Sequence, residues 1–204
     1  MKYLEKPETV PAALEGLNYA ANAAKIRRSL MSVQKYVCAY SEKVFQSLDA
    51  VEVEHFDPRK KGGEADDFRN WYAVLRILNL RKPRLIENFE PLPDPGAASL
   101  QARLKYEDGE FRPVDGNDDE VKRLIDYILA NSELTYDHRA NHVRSIAALR
   151  ESMSEEKLLD YLRRHPQFLS FPTALEVELG IPAYALLEEA AAAREQGAEV
   201  TARP

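Results

Sequence analysis

Residues 38–82 read CAYSEKVFQSLDAVEVEHFDPRKKGGEADDFRNWYAVLRILNLRK, and the rest of the chain is interpreted around them. Val51 and Val53 alternate with Glu52 and Glu54, the period of a half-buried strand. That strand ends in the pair Glu54-His55, and Asp57-Pro58 closes it because proline cannot donate to a ladder. Lys61-Gly62-Gly63 reads as a loop. Asp66 or Asp67 then caps an expected helix from Phe68 through Leu80, with Trp71, Val74, Leu75 and Leu78 on one face and Pro83 just past its end. An acid and a histidine at a strand end, with asparagines after them, are the residue types that a one-metal hydrolytic site needs. A carboxylate and a second oxygen ligand hold the cation, a neutral imidazole takes a proton from water, and a further polar group fixes the imidazole.

Working outward, residues 11–37 read as a helix, with Leu14, Leu17, Ile26, Leu30 and Val33 at three- and four-residue spacings. Lys25, Arg27 and Arg28 fall between them as a solvated face. After a proline-containing spacer, Asp108-Gly109 sits between two β-like runs, a strong hairpin signal. Helices follow after Asn117 or Asp118, over about 136–151, from Ser154 to before Pro166, as a short turn over 173–179, and from Pro182 to about Glu195. The segments are 1–37 (N-terminal helix), 38–84 (the motif core), 85–152 (hairpin and helices packed on that core) and 153–204 (a helical extension).

Composition narrows the class. The net charge is −6, which argues against a protein that coats nucleic acid by bulk electrostatics. The balance is local, however: from His55 to Arg84 eight Lys and Arg stand against four acids. No apolar run is long enough to span a bilayer, and MKYLEKPETVP lacks the apolar segment of a secretion signal, so the expectation is a cytoplasmic protein without a membrane partner. A single cysteine permits neither an internal disulfide nor a cysteine-rich zinc site. His138, His142 and His165 have no chemical context and default to structural or exposed positions.

The stretch resembles the HNH endonuclease motif, which is carried on a ββα-metal hairpin. Glu54-His55, Pro58, Gly62-Gly63, Asn70-Trp71, Asn79 and Lys82 fall on its pattern in register. The resemblance implies an α+β fold: a small ββα-metal core in a mainly α-helical chain. It implies Glu54 and Asn79 as ligands of Mg²⁺ or Mn²⁺, His55 as general base and Asn70 as its orienter, with Arg59, Lys60, Lys61 and Lys82 on phosphates of nucleic acid. Asn79 stands where many relatives carry histidine. The family commonly has two Cys-x-x-Cys pairs for a structural zinc; here the positions hold Cys38, Ser41, Leu75 and Leu78, so no structural zinc is expected and leucine packing substitutes. MKYLEKP, EHFDPR and RLKYEDGEFRPV further resemble the Septu and retron-associated HNH proteins of bacterial anti-phage (antiviral) defence. That subgroup implies an ABC/SMC-like ATPase partner. The expected activity is metal-dependent hydrolysis of DNA or RNA; the alternative is a catalytically weak HNH-like module that binds an ATPase or nucleic acid without cutting.

Overall fold

Val51–His55 forms β1, and it pairs antiparallel with β2 (Trp71–Leu75) in a register that sets Val51 against Leu75 and His55 against Trp71. The computed structural model describes residues 1–201, with side chains through Arg194. The second strand corrects the helix expected from Phe68 to Leu80. Phe68–Asn70 is a single 3₁₀ turn with Asp67 accepting from the Arg69 amide, Trp71–Leu75 is strand, and only Arg76–Arg81 (α2) is α-helical. Trp71, Tyr72, Ala73 and Val74 are all buried, so the run is apolar on both faces. A short continuous apolar run fits a covered strand as well as a helix face. Aromatic and β-branched side chains and a partner strand decide for the strand.

α1 (Tyr19–Val33) lies against β1 and β2 and buries Ile26 and Leu30 completely. It begins eight residues later than the sequence suggests and ends four earlier. Gly16 takes φ +65°, Asn18 caps the helix by accepting from the Ala21 amide, and Lys35 and Tyr36 turn the chain with positive φ. α2 follows β2 without a loop and packs on both strands.

The second hairpin forms where Asp108-Gly109 marks it: β3 (Leu104–Glu107) and β4 (Glu110–Pro113) flank a two-residue turn with φ values of 53° and 80°. A short helix, α3 (Ser99–Arg103), leads into it. The remaining helices are α4 (Asp119–Tyr127), α5 (Glu133–Ser152), α6 (Glu155–Arg164), α7 (Pro172–Leu179) and α8 (Ala183–Thr201). Asp118, Ser132 and Ser154 cap the first three of these, and Gly180, in the left-handed region, ends α7. α5 starts at Glu133 rather than about 136 because Ser132 supplies the cap.

The fold is therefore mixed α/β, mainly helical, with two small antiparallel sheets. Leu30, Trp71, Leu124 and Leu186 belong to one buried apolar cluster, so the four segments divided by sequence share a core. Residues 202–204 of the C-terminal extension lie outside the described residues. Among the described residues no helix is long and apolar enough to cross a membrane.

Candidate active site

Neighbouring residues in a strand point to opposite faces, so Glu54 and His55 leave the end of β1 on different sides. On one side Lys82 Nζ lies 2.5 Å from Glu54 Oε1, and the Tyr40 hydroxyl donates to the same oxygen at 3.4 Å. The Lys82 ammonium also donates to the Tyr127 hydroxyl at 2.6 Å, to Phe56 O at 2.9 Å and to His55 O at 3.3 Å. Glu54 and Lys82 are both buried. Burial pushes the Glu54 carboxyl up and the Lys82 ammonium down, while their mutual attraction opposes both shifts.

On the other side His55 faces α1. The Tyr19 ring meets the imidazole edge-on, with centroids 4.6 Å apart. Nε2 lies 2.9 Å from Asp66 Oδ1, but the pair is not aligned as a hydrogen bond. Asp66 is itself fixed: its Oδ2 accepts from the Gly62 amide at 2.7 Å, and its Oδ1 accepts from the Trp71 indole at 2.5 Å. Burial raises the Asp66 carboxyl, but these two donors and His55 outweigh it and leave its pKa below the usual carboxylate range. Burial lowers the pKa of His55 and Asp66 opposes it; the result lies below the ordinary histidine value. At neutral pH the imidazole is therefore uncharged and able to accept a proton.

Asn70 does not touch the imidazole. Its Oδ1 accepts from the Asp57 amide at 2.8 Å, and its Nδ2 donates to the Asp57 carbonyl at 2.9 Å. This two-point bracket ties the chain just after His55 to the start of β2. The side chain beside the imidazole is therefore Asp66 and not Asn70, the orienter that the motif implies.

Asn79 and Glu54 are not brought together. The Asn79 amide donates to Glu52 Oε2 at 2.7 Å, and Glu52 Oε1 lies 3.4 Å from Arg76 Nε. Glu54 is held by Lys82. A divalent cation on Glu54 and Asn79 does not fit this arrangement, because an ammonium already sits on the carboxylate and the amide is turned to another acid. Among the described residues no group of three or more His, Cys, Asp or Glu is placed to hold a metal ion.

The basic residues divide. Lys82 was expected on phosphate and is instead interior, held by Glu54, Tyr127 and two carbonyls; a buried ammonium with four acceptors has no reason to reach solvent. Arg59 is bidentate on Asp57 and also reaches Glu90, which keeps the Asp57 carboxyl below its ordinary value. Lys60 and Lys61 are exposed, and Lys61 stands over the Tyr19 ring.

The four positions at which the HNH pattern places zinc ligands also meet. Cys38 is fully buried, its Sγ accepts from the Leu75 amide at 3.4 Å, and Ser41, Leu75 and Leu78 line one cleft. Leu78 is buried and Leu75 packs against the core.

Asp66, Tyr19, Tyr40, Tyr127 and Glu52 are the site residues that sequence reasoning missed. The sequence marks Asp66 only as a possible helix cap. Its partner lies eleven residues back across a loop, and no spacing rule links the two. Tyr127 comes from α4, far along the chain. Comparison with protein-family models, with curated proteins and with solved structures finds no match for this chain.

Proposed function

We propose that the chain is an HNH-type endonuclease that hydrolyses phosphodiester bonds of DNA or RNA, acting as the effector of an ATPase-coupled anti-phage complex in the cytoplasm. The observation that carries the hydrolytic part is His55: an imidazole kept neutral by burial, backed by a fixed carboxylate, at the strand end of a β-loop-β-helix unit. In this reading His55 takes a proton from water, the water oxygen bonds to phosphorus, and the bond to the leaving sugar oxygen breaks as that oxygen takes a proton from solvent. Asp66 stabilises the imidazolium that results. The Asn70 bracket keeps the His55 backbone in place during proton transfer. No step is drawn through a metal ion, since Glu54 and Asn79 do not share a site. The defence role and the ATPase partner are carried by the Septu and retron resemblance.

The second reading is a binding module that does not cut. It is favoured by the Glu54–Lys82 pair and the Asn79–Glu52 bond, which engage both expected metal ligands internally. Cleavage of plasmid, single-stranded DNA and RNA, with Mg²⁺, Mn²⁺ or chelator and with and without a co-purifying ATPase, separates the two. The nuclease reading expects His55→Ala to lower the rate by about 10²–10⁴-fold, the usual worth of a general base. Absence of cutting by the wild type under every condition makes the chain a binding module.

A further inference from the structure

Among the described residues β1 pairs only with β2, and α1 packs against both strands. Between them lies a cleft of about 450 Å³, lined by Tyr19, Ala23, Ala24 and Arg27 from α1 and by Glu52 and Lys61 from the hairpin. Two of its cations have no carboxylate partner among the described residues. Arg27 makes one long bond to Val51 O at 3.5 Å, and Lys61 rests over the Tyr19 ring, 5.4 Å from its centroid. The cleft's acid is already engaged, Glu52 being held by Arg76 and Asn79. Ala23 and Ala24 are exposed and small, which lets a backbone approach α1 closely. Tyr19 joins the cleft to the imidazole, since its ring centroid lies 5.4 Å from Lys61 Nζ and 4.6 Å from the His55 ring centroid.

We propose that this cleft binds a single-stranded segment of nucleic acid, with phosphates on Arg27 and Lys61 and a base against Tyr19. Delivery of that strand to His55 rests on the nuclease reading; the binding does not. Uncommitted cations track a phosphate backbone, and an aromatic ring accepts any base, the combination that single-strand sites use. A cleft of about 450 Å³ between one helix and the hairpin admits a single strand and not the full width of a duplex. Arg27, which sequence alone places on a solvated face, becomes part of the binding surface.

The test is fluorescence anisotropy with a labelled oligothymidylate, and with a duplex of the same length, in a His55→Ala background so that the probe survives. Arg27→Ala with Lys61→Ala is expected to weaken single-strand binding about tenfold at low salt. It should also flatten the salt dependence by about 0.7 per lost contact in the log–log slope. Lys157→Ala with Arg144→Ala removes the same charge from α6 and α5 and is expected to change little. Both pairs are exposed, so folding is preserved. Unchanged affinity in the cleft variant, equal loss in the control, tighter binding of the duplex, or no binding at all overturns the proposal. If the wild type never cuts but the cleft variant loses binding, the cleft stands and the nuclease reading falls. If cutting depends on His55 but the cleft variant binds normally, the reverse holds.

Discussion

Each of the two hairpins holds a bracketing asparagine and a buried cation, the first also holding Lys6 on the Trp71 carbonyl, and the sets around Lys82 and Arg139 work differently. In the β3–β4 hairpin Arg139 donates to Gly109 O, Ala130 O and Asn131 Oδ1, all neutral acceptors, and its guanidinium lies near the Tyr106 and Phe111 rings. Asn131 accepts from the Phe111 amide at 3.0 Å and donates to its carbonyl at 2.7 Å. In the β1–β2 hairpin Lys82 meets a carboxylate, and Asn70 makes the same two-point bracket on Asp57. The bracket is therefore a general way to hold a hairpin and does not by itself mark catalysis. What differs is the connection. β3 and β4 are joined by a two-residue turn, whereas fifteen residues join β1 to β2, and that long loop brings Asp66 to His55. The candidate site therefore lies on the hairpin with the long connection and the ion-paired lysine.

Five substitutions test the difference between the hairpins. Lys82→Ala is expected to cost about 3–5 kcal/mol in urea unfolding, because it leaves Glu54 buried and unpaired. Without Lys82 the folded-state pKa of Glu54 lies still further above its unfolded value. The destabilisation should accordingly shrink as pH falls through that raised pKa, and be gone once the ordinary glutamate range is passed and both states carry a neutral carboxyl. Arg139→Ala is expected to cost about 3 kcal/mol, since it strands carbonyls and no charge, with no matching pH dependence. A larger or pH-dependent loss at Arg139 would erase the distinction between the two cations.

Smaller effects test the asparagines and the loop. Asn70→Ala and Asn131→Ala should each cost about 1–3 kcal/mol. Only Asn70→Ala should also lower cleavage, by roughly tenfold or more, through misplacement of His55. Equal activity in both variants removes the site from the first hairpin. Asp66→Asn is expected to shift the pH profile. Cleavage should rise with pH as His55 loses its proton, and Asp66 raises that pKa against burial. Removing the charge should move the acid limb to lower pH. A limb that stays in place shows that another group titrates.

Legibility followed how local each signal is. The β3–β4 turn, the caps Asp118 and Ser154 and the glycine end of α7 were readable because one or two residues set each of them. The helix over Phe68–Leu80 failed because Trp71–Leu75 is apolar throughout, and periodicity cannot separate a doubly covered strand from a helix face. Of the expected site residues, His55 and Asn70 occupy one neighbourhood, while Glu54 and Asn79 each turned to an unforeseen partner, Lys82 and Glu52.

By itself the sequence determined the β1 strand with its terminal Glu54-His55, the second hairpin and most of the helices, because alternation, turn chemistry and caps act within a few residues. Only the tertiary structure decided that Lys82 lies inside, that Asp66 backs the imidazole and that Arg27 and Lys61 face one cleft beside it. Those outcomes depend on which charged groups lose water together, and burial is set by elements as distant as α1 and α4.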